Sequence, residues 1–204
     1  MKLWYATGTC SLAPHIALRE AELPFDLIRF DMTRRILDDG GRLEAVNEKG
    51  YVPVLELPGG ERLTEVPVVL QYIGDQRPER NLVPKAGTME RYRLQEWLSF
   101  IATEIHKIYW PLFHQGAEIE NQKAKEKLDQ RFSWLETKLH DGSFLMGNHF
   151  TVADAYLFTV LNWAKPAGID LNRWPKLKAY RSRIRERPSV VAAFEAEGMG
   201  SKKA

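Results

Sequence analysis

The sequence predicts an α/β + all-α chain, with an α/β domain over residues 1–80 and an all-helical domain after it. Two observations carry this. Short apolar runs of strand character alternate with helical runs up to about residue 76, and beyond a proline-bearing polar stretch only helical periodicity remains. Lys2-Leu3-Trp4-Tyr5-Ala6 reads as a strand, Thr7-Gly8-Thr9 as a turn and Ser11 to Glu20 as a helix. Phe25 to Phe30 alternates with period two, a second strand. Arg35 to Val46 reads as a weak polar helix or loop. Val52 to Leu57 is a strand, Pro58-Gly59-Gly60 a turn, Arg62-Leu63 a short strand and Val66 to Gln76 a helix.

Arg77 to Pro84 holds two prolines among polar residues and marks the break. The division is drawn as 1–80, a linker at 81–86, and 87–204. In the first long helix, over Arg91 to Leu112, Trp97, Ile101, Ile105, Ile108 and Leu112 form one apolar stripe. Leu94, Leu98 and Phe100 lie off that stripe and are candidates for contact with another subunit. Ala124, Leu128, Phe132, Leu135 and Leu139 make a second stripe. Thr151-Val152-Ala153-Asp154 resembles a capping box and opens a run that is apolar on nearly every side, hence central. Shorter helices are expected after Pro175 and Pro188.

Composition sets the outer limits. The 204 residues are 44% hydrophobic with net charge +2, so electrostatics call for neither nucleic acid nor membrane. No apolar run suggests a signal peptide or a membrane span. A single cysteine allows no internal disulfide, which suits a reducing compartment.

That cysteine, Cys10, lies where a strand turns into a helix, near the positive end of the helix dipole. The position favours thiolate. Ala13 stands where a dithiol motif would have its second cysteine, so any exchange partner comes from outside the chain. A small buried hydrophobe is the alternative, and position alone leaves both open. Val52-Pro53 opens a strand that should be central, and a cis bond there would present Val52's backbone to an extended peptide. Glu65 precedes a helix start and can pair with an amine, while free N–H groups take a carboxylate; an N-cap at Thr64 with an acidic first turn fits equally well. Ser99, Thr103, His106 and Trp110 form a separate polar-aromatic stripe with Lys107 beside it, either a cleft wall or a solvated face. The other histidines show no metal-ligand spacing, and phosphate-loop and nucleophile-elbow motifs are absent.

The segments MKLWYATGTCSLAPHIALRE, EKGYVPVLEL, LTEVPVVLQYIGD, EWLSFIATEIHK, FTVADAYLF and ERPSVVAAFEAEG run nearly the whole chain in order. Together they resemble a cytosolic glutathione S-transferase, most closely the bacterial beta class. The resemblance implies a thioredoxin-like glutathione-binding domain, an all-helical domain and a cytoplasmic homodimer. Glutathione would be co-substrate to a hydrophobic electrophile, with no permanent cofactor and no metal. It places Cys10 opposite the glutathione sulfur, within reach of a mixed disulfide, with Tyr5, Ser11, His106 and Lys107 around it. Val52 and a cis Pro53 would hold the cysteinyl backbone, Glu65 and the N–H of Val66 the γ-glutamyl end, and Arg35 the glycine end. Ser99 and Thr103 would line the same cleft, and Trp110, Phe113, Trp163 and Lys165 the electrophile wall. Disulfide exchange or peroxide reduction through Cys10 is an implied second activity. A glutathione-dependent lyase or isomerase, or a non-catalytic binder of hydrophobic ligands, is the rival reading. Two departures stand out: Val66 where the family has Ser or Gly, and Arg35, flanked by Arg34, where the class often has lysine.

Overall fold

A computed structural model describes residues 1–114, 116–140 and 142–200. The contacts divide the chain into two units: Met1–Val83 together with the chain from Arg187 on, and Pro84–Glu186.

The first unit is built on a five-stranded mixed sheet, β3-β2-β1-β4-β5. β1 (Lys2–Tyr5) and β2 (Asp26–Asp31) run parallel, joined through helix α1 (Leu12–Glu20). β4 (Val54–Glu56) pairs antiparallel with β1, setting Trp4 against Val54, and β5 (Arg62–Thr64) pairs antiparallel with β4. Alternation along β1 divides its side chains between the two faces. Trp4 joins Ala6, Phe30, Leu37, Leu43, Val52 and Val54 in one apolar cluster, while Tyr5 meets His15 of α1. Pro53 sits one residue before the β4 ladder, so its missing N–H breaks no pairing, and the Val52–Pro53 bond is cis. Residues 35–46, expected as a polar helix or loop, carry a two-residue strand β3 (Ile36–Leu37) and a single tight turn, Leu43–Ala45. Ile36 and Leu37 pair with Asp31 and Phe30, and Leu37 and Leu43 fill the Trp4 cluster, which gives this short segment an apolar reason to order.

α1 is buried from Leu12 through Leu18, because helices α2 (Val66–Asp75) and α8 (Pro188–Ala196) both pack on it. Gly74 of α2 lets the chain return closely: a Cβ there would lie 2.4 Å from a Val83 methyl.

α8 corrects the expected boundary. Element type places residues 187–200 in the helical domain, yet their contacts lie with α1. Arg187 Nε and a terminal Arg187 nitrogen donate to the two oxygens of Glu20 at 2.6 and 2.8 Å, and Ser189 bonds the same carboxylate. The carboxylate belongs to the last turn of α1 and meets the start of α8, where the dipole favours an anion.

In the second unit α3 (Met89–Ile101) is capped by Thr88, whose hydroxyl accepts from the Arg91 N–H. The expected single helix does not continue. A π-helical turn, Ala102–His106, gives way to a tight turn, Lys107–Tyr109, and the short α4 (Trp110–Phe113). The buried stripe is Leu94, Leu98, Ile101, Ile105 and Tyr109. Leu94 and Leu98 thus find their partners inside the chain, against the expectation of a subunit contact. Trp97 is displaced to the margin with Phe100 and Trp134, its ring centroid 5.6 Å from Trp134. α5 (Glu118–Lys138) buries Ala124, Leu128, Phe132 and Leu135, with Leu139 just beyond it, as the sequence indicates. α6 (Val152–Leu161) is buried along its whole length, and α7 (Pro175–Arg185) packs on it.

Asp154 joins these helices. Its oxygens accept from Leu145 N (2.9 Å), Thr151 N (2.8 Å), Thr151 Oγ1 (2.9 Å) and the Tyr180 hydroxyl (2.7 Å). Desolvation pushes the Asp154 carboxyl up, against donors that pull it down. Asp154→Ala strands these donors in the interior and is expected to cost about 3 kcal/mol or more. A urea midpoint shift worth under about 1 kcal/mol would contradict this role.

Candidate active site

In the first unit the β1–α1 turn is held from both sides. Gly8 has φ +69°, a conformation that suits glycine. Its N–H donates to Glu197 Oε2 at 3.0 Å. Glu197 Oε1 lies 2.9 Å from His15 Nδ1, and Arg19 Nε donates to His15 Nε2 at 2.9 Å. Since Nε2 accepts, the ring proton sits on Nδ1 and points at Glu197. Inside the turn, Ser11 Oγ accepts from the Ala6 N–H at 3.1 Å and pairs with Thr9 Oγ1 at 2.8 Å. The Ser11 hydroxyl, expected beside the substrate sulfur, is fully buried and serves the turn itself.

The structure brings Cys10 and Val52 together: Cys10 Sγ donates to the Val52 carbonyl at 3.5 Å. α1 begins two residues later, and the N–H groups of Cys10 and Ser11 do favour the thiolate, as the sequence suggests. Burial opposes them and wins, with the Glu65 charge adding to it, and the thiol is pushed up to about 12. This direction runs against the expectation of a partly ionised Cys10. Tyr5 is also pushed up, by burial first and then by the Glu197 and Asp38 charges.

Glu65 takes φ +68°, rare for a residue with a side chain and a recurrent sign of a functional position. Its carboxylate accepts from Lys49 Nζ at 2.9 Å and the Tyr51 hydroxyl at 2.6 Å. Lys49 and Tyr51 escaped the sequence reading, although Lys49-Gly50-Tyr51 directly precedes Val52-Pro53. At the start of α2, Val68 and Val69 donate to the Glu65 carbonyl and Pro67 has no N–H. The Val66 N–H is thus left outside the ladder of this helix. Arg35 stands on an exposed turn, paired with Glu44 at 3.1 Å.

In the second unit, Thr103 Oγ1 donates to the Ser99 carbonyl at 3.0 Å, so this pair binds its own helix. His106 Nδ1 lies 2.7 Å from the Tyr156 hydroxyl, and its ring meets Trp163 edge-on at 4.9 Å. Trp163 also meets Tyr109 (5.5 Å) and Phe113 (6.1 Å), and Phe113 stacks on Tyr109. His106, Phe113 and Trp163 therefore share one aromatic wall. Trp110 does not join them: it stacks on His114, and Lys107 lies over it at 5.2 Å. The π turn accounts for this, because its longer period rotates every later residue off the expected stripe. A hollow of about 410 Å³ is lined by Trp110, Pro111, His114, Gly116, Ala117 and Glu120, apart from the aromatic wall. Lys165 is exposed after α6. Among the described residues no cluster of metal-binding side chains occurs, and no helix is long and apolar enough to cross a membrane.

Comparison with known proteins decides the family. The models for the glutathione S-transferase N-terminal and C-terminal domains match residues 7–76 and 97–188. The chain belongs to the glutathione S-transferase family. It is 40% identical over 200 residues to glutathione S-transferase GstA of Escherichia coli O157:H7, covering 98% of this chain and all of that protein. A bacterial beta class glutathione S-transferase from Sphingomonas chungbukensis superposes with TM-score 0.94 at 44% identity, over 98% of this chain and all of that one. A sphingomonad glutathione S-transferase solved with glutathione gives 0.93 at 42% identity, over the same shares.

The desolvation of the half-buried Cys10 thiol in this transferase has a direct consequence. With its pKa pushed up to about 12, the thiolate fraction should rise about tenfold per pH unit through the alkaline range. Alkylation of Cys10 by iodoacetamide, followed from pH 6 to 10 by intact mass, should climb without levelling. A plateau below pH 8 would show a stabilised thiolate and overturn this.

Proposed function

We propose that this transferase binds and activates glutathione in its first unit and conjugates the thiolate to hydrophobic electrophiles. The observation that carries the reading is the close approach of Cys10 to the Val52 carbonyl at the cis Val52–Pro53 bond. It puts a protonated sulfur beside the backbone edge on which the cysteinyl part of glutathione would lie as an added strand. As a thiol, Cys10 donates a hydrogen bond to the incoming thiolate and so lowers that thiolate's energy. Mixed-disulfide formation needs ionised Cys10 to attack oxidised glutathione and release glutathione thiolate, so it runs slowly at neutral pH. Glu65 pairs with the γ-glutamyl amine, and the Val66 N–H takes the γ-glutamyl carboxylate. Lys49, held 2.9 Å from Glu65, adds the cation that balances that carboxylate. The aromatic wall of His106, Phe113 and Trp163 receives the electrophile. A cytoplasmic setting supplies the glutathione and suits a chain with one unpaired cysteine.

Calorimetry tests the γ-glutamyl site. Glu65→Ala should weaken glutathione binding by about 1.5–3 kcal/mol, the worth of a charge-assisted bond, whereas Val66→Ser should strengthen it by no more than about 1 kcal/mol. A neutral Glu65→Ala would place the γ-glutamyl end elsewhere.

The working form is proposed to be a homodimer. Trp97, Phe100 and Trp134 form an aromatic cluster at the margin of the helical unit, with Trp134 40% exposed. Aromatic residues of this kind are enriched at subunit interfaces. Light scattering at micromolar concentration should give twice the 23.5 kDa of one chain. The single-chain mass would rule the dimer out.

A further inference from the structure

We propose that Met199 is a site of reversible oxidation by peroxides, and that its sulfoxide loosens the β1–α1 turn and so weakens glutathione binding. This inference rests on the assignment of the turn that carries Cys10 to the glutathione site. The end of α8 brings the sulfur there. Gly198 takes φ +72°, its N–H donates to the Glu195 carbonyl at 3.0 Å, and the Met199 N–H donates to the Phe194 carbonyl at 2.8 Å. This pair of bonds closes a helix at a left-handed glycine and fixes the backbone of the residue after it. The same helix end supplies Glu197, which holds the Gly8 N–H at 3.0 Å. Met199 covers Gly8 itself, since a Cβ there would lie 3.2 Å from Met199 Sδ. One turn of chain is thus gripped twice, once by a carboxylate and once by a thioether.

The thioether is the oxidisable half of that grip. Met199 is half-buried and so partly open to a small oxidant. Its sulfur gives an electron pair to one oxygen of hydrogen peroxide. The S–O bond forms as the O–O bond breaks, the proton on the transferred oxygen passes to the departing hydroxide, and water leaves. Sulfur is oxidised by two electrons and the peroxide reduced by two; an organic hydroperoxide releases an alcohol instead. Methionine sulfoxide reductases reverse the step. Cys10 competes poorly for the same oxidant, because the thiolate is the nucleophile and burial pushes its thiol up to about 12. A thioether needs no deprotonation. The sulfoxide is polar where the thioether is apolar, and its oxygen is a strong acceptor set at Gly8, whose N–H Glu197 already holds. Two acceptors then meet one donor, and the one displaced loses its bond. Either result parts residues 197–199 from the turn, and Cys10 is held less rigidly. Leucine at 199 would cover Gly8 without this sensitivity.

The test treats the full chain with graded hydrogen peroxide, maps the added oxygens by peptide mass, and measures glutathione binding by calorimetry. Met32 and Met89, 58% and 65% exposed, serve as internal controls. Oxidation at Met199 should weaken glutathione binding roughly three- to thirtyfold, the worth of one hydrogen bond left unmade. Met199→Leu should keep its affinity through the same treatment although Met32 and Met89 oxidise. Met199→Gln, with an amide oxygen in place of the sulfoxide's, should show the loss without peroxide. Hydrogen exchange at the Gly8 amide reads the turn without glutathione and should quicken on oxidation of the wild type but not of Met199→Leu. A Met199 that stays reduced while both controls are fully oxidised would overturn the proposal. So would an oxidised Met199 with unchanged exchange, and so would an equal loss of affinity in Met199→Leu, which would assign the effect to Cys10. Faster exchange with unchanged glutathione affinity would uphold the oxidation site and remove the turn from the glutathione site instead.

Discussion

The buried carboxylate of Glu197 fixes the part of this transferase on which the rest depends. It holds the turn that carries the only cysteine, through the Gly8 N–H, and it holds α1 through His15. The proton on His15 Nδ1 faces Glu197, and the lone pair on Nε2 accepts from Arg19. One imidazole thus separates an acid from a guanidinium, and each of its two nitrogens has a partner. Such a chain is stable only when every member is present, because an unpaired polar group at this depth costs more than the bond returns. The Arg187–Glu20 pair closes the other end of the same helix packing. α8 thereby belongs to the first unit, although it comes last in the sequence.

Much of this fold is legible in the residues. The strand, turn and helix around Cys10, the proline-started helices at Pro175 and Pro188, and the α5 stripe follow local patterns, and local patterns survive folding when one face alone is buried. α3 shows where that reasoning stops. Trp97 and Leu98 both continue an apolar stripe through Ile101 and Ile105, and only the packing of α3 on α6 decides for Leu98. The π turn has no periodic signature because it inserts one residue into an otherwise regular repeat. The Glu197–His15 contact spans 182 residues, so no window of sequence contains it. Cys10 is the most instructive case. Its place before a helix is plain in the sequence and its two N–H donors are there, but burial depends on the whole fold and outweighs them.

The start of α2 gives Val66 a backbone donor and no side-chain hydroxyl. Pro67 supplies no N–H, and the next two are taken by the Glu65 carbonyl. What remains at this helix start is one backbone donor, the Val66 N–H, with polar side chains nearby. Lys49 and Tyr51 already converge on Glu65 there. The ordered Lys49–Tyr51–Glu65 cluster helps offset the strain of the positive φ at Glu65.

Asp154 and Tyr109 mark two uses of a buried polar group in the same helical unit. Asp154 has a donor for each lone-pair direction that matters, and it welds α6 to α7 and to the chain before it. Among the described residues the Tyr109 hydroxyl has no partner, and the residue is buried. A group of the first kind makes the fold unique. A group of the second kind weakens it unless another molecule completes the bond.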